Sequence, residues 1–270
     1  MTAQQLTAAL SAAVAAARAA GAVMRRDLRA VKRVNQQTAH DIKLELDVRC
    51  QQLIERRLHR AFPAIAVLGE EGSSGAAEAA TRWVIDPIDG TVNFAYGIPH
   101  ACVCIALQVR SRARAARVDG GYATVLGVIY DPFLNELWTA VSGQKARLNG
   151  RPLRVSRRAR LAESMLAMGY GKNEAMAAAA MPTLAALSAR ARKVRNMGSA
   201  GLALAYVATG RFDAYVERGI NLWDIAAGGF IIERAGGKFW RERLPDGEGY
   251  RMIASNGRLH RPLQALRVVD

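Results

Sequence analysis

Two carboxylates, Asp86 and Asp89, lie three residues apart in the segment WVIDPIDGTVNF. Gly90 and Thr91 follow them, and a turn that opens a short helix at this point would direct backbone N–H groups at an anion. Paired acids beside an anion-binding helix start are unusual in a hydrophobic core. They are typical of a site in which divalent cations lie between the acids and a bound phosphate.

Other acidic residues lie near the ends of predicted elements, and each has an ordinary explanation when taken alone. Asp41 and Asp47 lie near the start of a predicted helix. The ordinary explanation is that Asp41 is the N-cap of this helix and that Asp47 lies on its solvated face. Glu70 follows a predicted strand within the glycine-bounded turn GEEG, and Asp224 lies in the first turn of a helix, where it complements the helix dipole. The GEEG turn becomes a candidate functional segment because the next predicted strand also ends in acidic residues.

Two helices and a series of strands are expected in the first part of the chain. Alanine-rich residues 4–29 and residues 41–58 carry apolar side chains at helical spacing, whereas residues 31–40 are polar and irregular. The short apolar run at residues 83–85 predicts a buried strand of parallel type. Pro87 should end this strand because proline cannot donate to a hydrogen-bond ladder. Further strands are predicted at residues 64–68, 101–109, 124–130 and 136–141, the last three antiparallel.

The second part of the chain alternates strands with helices, which predicts an α/β (α+β) fold. The predicted strands are residues 164–170, 193–197 and 212–217, and the predicted helices are residues 173–190, 199–209 and 221–235. A boundary near residue 150 divides the chain into an N-terminal part, 1–150, with the antiparallel sheet, and a C-terminal part, 151–270, with Asp224.

The chain carries a formal charge of +15, mostly from arginine. Such a charge is compatible with nucleic-acid binding or with a small anionic substrate. The arginines cluster only at residues 110–117, within a predicted hairpin tip at 110–121, and at residues 157–160. Aromatic residues do not interleave with either cluster as base stacking requires, so a small anionic substrate is favoured over nucleic acid.

Membrane and secretory features are absent from the sequence pattern. No apolar run reaches the roughly 18 residues of a membrane span, and residues 1–24 lack the basic start of a signal peptide. The three cysteines, Cys50, Cys102 and Cys104, have no CxxC spacing. This pattern favours reduced thiols over a disulfide framework or a zinc site, and hence a cytoplasmic protein without membrane contact.

Three segments together resemble the inositol monophosphatase family, within the group of Mg²⁺-dependent, lithium-sensitive sugar phosphatases. They are Gly69-Glu70-Glu71, residues 83–94 and residues 223–237, in the family's order and spacing. Residues 198–200 and 213–217 also look like family segments. The resemblance implies a layered α/β/α/β/α sandwich and a homodimer.

The resemblance also implies a set of metal ligands. Glu70, Asp86 and the backbone carbonyl of Ile88 would hold one Mg²⁺, and Asp86, Asp89 and Asp224 a second. Glu70 would help to hold a weaker third ion through water, and lithium is expected to inhibit. Oxygen ligands alone suit Mg²⁺ rather than zinc.

The catalytic residues implied by the resemblance are Thr91, Asp47 and Glu70. Thr91, paired with Asp47, would orient and help to deprotonate a metal-activated water that attacks phosphorus in line. Gly90 and Thr91 would offer backbone N–H groups to the phosphate. No serine or cysteine has the setting of a covalent nucleophile.

Substrate contacts are implied for Asp89, Glu217 and the segment Gly198, Ser199 and Ala200. A carboxylate such as that of Glu217 accepts hydrogen bonds from vicinal hydroxyls, which favours a polyol over a flat base. The chain departs from several family members at Gln36 and Gln37, where they carry a lysine. Lys43 is the candidate that replaces this lysine.

The sequence therefore predicts a Mg²⁺-dependent phosphomonoesterase that acts on inositol monophosphate or a similar small polyol or sugar phosphate. Histidinol-phosphate phosphatase and fructose-1,6-bisphosphatase activities are the alternatives on the same fold. A regulatory protein that binds RNA or the transcription machinery is the alternative of another class, because the chain is strongly basic.

Overall fold

A computed structural model of the chain describes residues 1–38, 42–76, 78–171, 173–245, 247 and 249–269, without the side chains of residues 114, 115 and 117. Asp41, where the second helix was predicted to begin, lies outside the described residues. The described α-helices are α1 (Ala3–Asp27), α2 (Glu45–Ala61), α3 (Thr91–Ala95), α4 (Glu174–Ser188), α5 (Ala200–Ala208), α6 (Leu222–Arg234) and α7 (His260–Ala265).

The described strands alternate with these helices. They are β1 (Val34–Gln37), β2 (Ile42–Leu44), β3 (Ala66–Gly69), β4 (Gly72–Ser74), β5 (Thr81–Asp89), β6 (Cys102–Arg110), β7 (Tyr122–Asp131), β8 (Glu136–Val141), β9 (Arg147–Leu148), β10 (Arg151–Pro152), β11 (Met165–Met168), β12 (Lys193–Arg195), β13 (Ala214–Ile220), β14 (Lys238–Arg243) and β15 (Tyr250–Ser255). Two 3₁₀ turns cover Arg114–Asp119 and Leu161–Glu163.

The strands form one hairpin and two large sheets. The hairpin pairs β1 with β2, and the first large sheet has the order β10-β9-β8-β7-β6-β5-β3-β4. All its neighbours are antiparallel except β3 and β5, so the predicted antiparallel sheet is confirmed. The second sheet has the order β12-β11-β13-β15-β14, with β11 parallel to both β12 and β13.

Helices and sheets alternate in five layers, which confirms the α/β/α/β/α sandwich. Helices α1 and α2 cover one face of the large sheet, and α5 and α6 lie between the two sheets. Helices α4 and α7 cover the outer face of the second sheet. Three buried apolar clusters fill the interfaces between these layers. Apolar burial of this kind is the main source of stability in a layered domain.

Helix α1 packs closely on the large sheet because its inner face is made of small residues. Five of its alanines are fully buried, and a side chain at Gly21 would lie 2.6 Å from the Tyr130 ring. By length and composition α1 could cross a membrane, and it is the one helix among the described residues that passes this test. Its alanines are instead used as core, against α2, β6 and β7.

Several predicted boundaries near the N-terminus are wrong. Residues 31–40 contain β1, and α2 begins at Glu45 because residues 42–44 pair with β1 as β2. No strand was predicted after the turn GEEG, but residues 72–74 form the short strand β4, which pairs with β3. Strands β1 and β4 are short and mostly polar, so they lack the apolar alternation from which a strand is predicted.

Strand β5 does not stop at Pro87 but continues to Asp89. The pairing with β6 shifts between Asp86, opposite Cys104, and Asp89, opposite Cys102. Pro87 therefore lies in a β-bulge, where a missing N–H donor breaks no ladder bond. The strand is parallel to β3 on one side and antiparallel to β6 on the other, so the parallel type predicted for it holds on one side only.

The C-terminal elements β14, β15 and α7 were not predicted. Strand β14, of sequence KFWRER, is an edge strand with mostly exposed or half-buried residues, so charged side chains interrupt its pattern. Helix α7 has only six residues, which is too short for an apolar periodicity to appear.

A buried ion pair connects the tip of the β6–β7 hairpin to the second sheet. Arg241 of β14 donates from Nε to Asp119 Oδ1 at 2.9 Å and from Nη2 to Asp119 Oδ2. The Asp119 side chain is 1% exposed and that of Arg241 is 18% exposed. This contact gives the predicted loop 110–121 a structural role.

Arg241→Met is expected to lower the free energy of unfolding by about 3 kcal/mol, because it leaves the Asp119 carboxylate buried without its partner. The same substitution at Arg160, whose exposed pair with Glu163 has side chains 75% and 44% exposed, should cost less than about 1 kcal/mol. Urea unfolding of both variants at neutral pH measures the difference. If both variants lose the same free energy of unfolding, the buried ion pair stabilises the fold no more than the exposed one, which would contradict the prediction.

Candidate functional site

One pocket of about 290 Å³ collects the carboxyl ends of strands and the amino ends of helices. Strands β3, β5 and β11 end at it, and helices α3, α5 and α6 begin at it. Helix amino ends carry a partial positive charge, and strand ends leave loops free to hold ligands. The geometry therefore suits an anionic ligand.

Three aspartates form the centre of the pocket. Oxygens of Asp86, Asp89 and Asp224 lie within 4.8 Å of one another, and all three residues are buried. Among the described residues that line the pocket none is basic. Three buried carboxylates without a basic neighbour repel one another, so a bound cation would stabilise this arrangement.

The protonation of these aspartates reflects that repulsion. Burial, followed by the charges of Glu70, Asp89 and Asp224, raises the pKa of Asp86 well above its ordinary value. Burial and the charge of Asp224 raise the pKa of Asp89 to about 6. The carboxylate form, which is the form that binds a metal, is thus disfavoured in the metal-free protein.

Asp89 is fixed by the first turn of α5. Its Oδ1 accepts a hydrogen bond from Ala200 N at 3.0 Å, and its Oδ2 accepts one from Gly201 N at 2.9 Å. The Ser199 hydroxyl also donates to Oδ2, and the Cys102 thiol donates to the same oxygen at 3.4 Å. These contacts join β5 to α5 and orient the carboxylate.

Asp86 and Asp224 are each held by a backbone group of their own segment. Asp86 Oδ1 accepts from Ile88 N at 3.1 Å, within the bulge of β5. Asp224 Oδ2 accepts from Asn221 N at 2.8 Å, in the capping box that opens α6. Both side chains are therefore oriented before any ligand binds.

Thr91 and Asp47 do not form the hydrogen bond that the family resemblance implies. Thr91 Oγ1 donates to the Ile88 carbonyl at 2.8 Å. Asp47 accepts from Leu44 N at 2.7 Å through Oδ2, whereas its buried Oδ1 has no hydrogen-bond partner among the described residues. Asp47 does not line the pocket.

The environment of Asp47 is nevertheless unusual for an aspartate. Burial, and then the charges of Glu70 and Glu71, raise its pKa to about 8. A buried oxygen without a donor is an exception to the rule that interior polar atoms are paired. The charges of Glu70 and Glu71 act on this residue, although it does not line the pocket.

Glu70 is placed by a turn that a glutamine secures. Glu70 N donates to Ile85 O at 3.1 Å, which attaches the turn to β5. Gln51 of α2 accepts from Glu71 N at 2.9 Å and donates to Gly72 O at 2.9 Å. Lys43 lies 3.3 Å from Glu71 Oε1 and is not among the described residues that line the pocket. Its role as a replacement for the family's lysine stays a prediction.

Close packing between α3 and the segment before α5 shapes one wall of the pocket. Gly90 has φ +92°, and a side chain there would lie 2.9 Å from His100 O and 3.1 Å from Gly198 O. Asn93 Nδ2 donates to His100 O at 3.0 Å and to Met197 O at 2.8 Å. Only glycine allows this approach, which brings Gly90 beside Gly198.

Glu217 also lines the pocket, and it has two partners that were not predicted from the sequence. The Tyr215 hydroxyl donates to its Oε2, and Gly171 N donates to Oε1 at 3.4 Å. Burial and the charge of Glu217 raise the pKa of Tyr215. Tyr215 and Glu217 are two residues apart on β13, so their common face could have been anticipated from strand periodicity.

The structure brings most of the candidate residues into this one pocket. They are Glu70, Asp86, Ile88, Asp89, Gly90, Thr91, Gly198, Ser199, Ala200, Glu217 and Asp224. Asp47 is the exception. The individual catalytic and binding roles stay predictions.

Comparison with known proteins gives one family. The family model described as "Inositol monophosphatase family" matches residues 5–267. The chain is 41% identical to "Nus factor SuhB" of Xylella fastidiosa over 227 residues, which cover 83% of this chain and 78% of that protein. It is 33% identical to "Inositol monophosphatase 1" of Solanum lycopersicum over 235 residues, which cover 84% of this chain and 82% of that protein.

A solved structure has the same architecture. The inositol monophosphatase from Anabaena is 34% identical, with a TM-score of 0.78 over 97% of this chain and 96% of that chain. These similarities agree with the order of the three acidic segments and with the five-layer sandwich. The chain belongs to the inositol monophosphatase family.

Proposed function

We propose that this chain is a Mg²⁺-dependent phosphomonoesterase that hydrolyses inositol monophosphate or a similar small polyol or sugar phosphate. The observation that carries the proposal is the trio of buried aspartates, Asp86, Asp89 and Asp224, in a pocket whose described lining has no basic residue. Membership of a phosphatase family supports it. A pocket that must hold a phosphate beside three acids requires cations between them.

The donor set fits Mg²⁺. Carboxylate oxygens of Asp86, Asp89 and Asp224, with Glu70 at the pocket wall, are hard ligands, and a set of this size is consistent with two to three ions. When bound, Mg²⁺ would neutralise charge on the phosphoryl oxygens and lower the pKa of water. The Ile88 carbonyl, which here accepts from Thr91, is the proposed main-chain ligand.

The proposed phosphate site lies between α3 and α5. Gly90 and Thr91 open α3, and Ser199 and Ala200 open α5, all at the pocket wall. Their proximity follows from the contact of Gly90 with Gly198 O. Backbone groups at two helix starts would orient the phosphate and hold its oxygens while the ester bond breaks.

Asp47 is the proposed proton acceptor. Its Oδ1 has no hydrogen-bond partner among the described residues, and a pKa of about 8 makes the ionised carboxylate a stronger base than an ordinary aspartate. Asp47 can accept a proton once it is itself ionised, a state that cations bound nearby would favour. Thr91 would relay the proton after its hydroxyl turns from Ile88 O toward Asp47. Hydrogen bonds of catalytic groups often form only in the complex with substrate.

Glu217 is the proposed specificity residue. Its carboxylate, held by Tyr215 and Gly171 N, faces the pocket and can accept hydrogen bonds from sugar or polyol hydroxyls. A second phosphate group would need a basic side chain, and the described lining offers none. Fructose 1,6-bisphosphate is therefore less favoured than a monophosphate.

Asp86→Asn should reduce Mg²⁺-dependent hydrolysis of a panel of phosphate esters by more than about 100-fold. Mutation of a residue that only supports a metal ligand already lowers metal affinity or activity by about 10–100-fold. It should also remove most of the rise in melting temperature that Mg²⁺ causes in the wild type. Asp131→Asn is the matched control, since Asp131 is equally buried but accepts only from the turn at residues 133–134. Wild-type activity in Asp86→Asn would contradict the proposal.

Asp47→Asn should stabilise the metal-free protein, and increasingly so as the pH rises from 4 to 8. The folded pKa of Asp47 is about 8, above the ordinary 3.8, so between these values the folded state retains a proton that the unfolded state has lost. The wild type therefore loses stability with rising pH, and the variant does not share this loss. Melting temperatures of both proteins in chelator measure it. A constant or shrinking difference would contradict a raised pKa.

A second candidate function is that of a regulatory protein that binds RNA or the transcription machinery, and a relative 41% identical to this chain is named "Nus factor SuhB". The charge of +15 supports it. Arg158, however, pairs with Asp213, and Arg110 pairs with Glu78, so part of each arginine cluster is neutralised. The candidate stays second to hydrolysis.

If RNA binds, replacing the exposed Arg112, Arg157 and Arg160 by glutamate should weaken it strongly, and wild-type affinity should fall as salt rises because counterions are released. Fluorescence anisotropy with a structured RNA measures both effects. The control carries the same change at Arg18, Arg56 and Arg57, exposed on α1 and α2. An RNA affinity that does not change with salt concentration, or that is unchanged by the substitutions at Arg112, Arg157 and Arg160, excludes this function.

A further inference from the structure

Two buried thiols lie directly behind the aspartate centre. Cys102 Sγ is 3.4 Å from Asp89 Oδ2 and 3.7 Å from Cys104 Sγ. One oxygen of Asp89 and both sulfurs lie within 4.8 Å of one another, and both cysteines are fully buried. Cys102 helps to orient Asp89, and no role has been proposed for Cys104.

The fold itself creates this cluster. Cys102 and Cys104 are alternate residues of β6 and so point to the same face of the sheet. The bulge of β5 places Asp89 opposite Cys102. Helix α5 closes the cluster at Gly201, where a side chain would lie 2.4 Å from Cys104 Sγ and 2.8 Å from Cys102 Sγ. The sulfurs and the carboxylate are therefore fixed relative to one another.

The distances match the edges of a tetrahedral metal site. Zinc–sulfur bonds of about 2.3 Å and zinc–oxygen bonds of about 2.0 Å place two sulfurs about 3.8 Å apart and a sulfur about 3.5 Å from an oxygen. The cluster has 3.7 Å between its sulfurs and 3.4 Å between Cys102 Sγ and Asp89 Oδ2. Two soft sulfurs and one oxygen select zinc-like cations over Mg²⁺.

We propose that Asp89, Cys102 and Cys104 form a binding site for a thiophilic divalent cation of the Zn²⁺ class. Binding displaces one proton from each thiol, so two protons leave as one cation enters and two metal–sulfur bonds form. Asp89 lines the pocket and separates it from the thiols, so the cation enters past this carboxylate.

The site has a consequence for activity, because Asp89 belongs to both metal sites. A soft cation that holds Asp89 withdraws it from the proposed Mg²⁺ centre, so the cation inhibits hydrolysis. This inhibition rests on the proposed function. The thiophilic site itself does not, since it depends only on the three side chains.

The test uses Cd²⁺, whose bonds to thiolates absorb in the ultraviolet. Reduced, metal-free full-length protein titrated with Cd²⁺ should develop a sulfur-to-cadmium charge-transfer band that saturates at one Cd²⁺ per chain. Cys102→Ala and Cys104→Ala should each lose the band. Cys50→Ala is the matched control, because Cys50 is an equally buried free thiol in α2, and it should keep the band. Excess Mg²⁺ should produce no band.

A second readout separates this site from the aspartate centre. The Cys104→Ala protein should keep Mg²⁺-dependent activity, while the Cd²⁺ concentration for half-inhibition rises at least about tenfold. If an alanine variant fails to fold, the serine variant replaces it. Absence of the band, its retention after removal of both thiols, or unchanged Cd²⁺ inhibition overturns the proposal. A thiol-dependent band without any phosphatase activity would support this site and refute the proposed function.

Discussion

Three carboxylates in the interior of this protein lie too close together to carry their charges without compensation. Asp86, Asp89 and Asp224 come from two segments far apart in sequence, yet their oxygens lie within 4.8 Å. Burial strengthens the repulsion between them and raises the pKa of Asp86 and Asp89. The layers of the sandwich have to hold these groups together against that repulsion.

The sandwich does so through contacts at the ends of its elements. Helix α5 binds the Asp89 carboxylate with two backbone N–H groups, and the capping box of α6 holds Asp224. Asn93 attaches α3 to the segment before α5. Helices α5 and α6 lie between the two sheets, so the same middle layer that forms the central core also positions the acids.

The sequence was sufficient for the fold class and for most of the pocket, because the acids lie at fixed spacings in recognisable segments. The sequence was insufficient where the local structure depends on contacts between residues that are far apart along the chain. The bulge that carries β5 past Pro87 depends on β6, and the Thr91 hydroxyl turns to Ile88 rather than to Asp47. Cys102 and Cys104 have no metal-binding spacing in the sequence, and their closeness to Asp89 appears only in three dimensions. The division near residue 150, the homodimer and the cytoplasmic location stay predictions.

The central claim is that the aspartate trio exists to bind Mg²⁺. Calorimetric titration of the metal-free wild type and of Asp224→Asn with Mg²⁺ tests it most directly, because it measures binding without requiring a substrate. The wild type should bind two to three ions saturably, and Asp224→Asn should lose at least one of them. Absence of saturable Mg²⁺ binding to the wild type, or identical titrations for the two proteins, would contradict it.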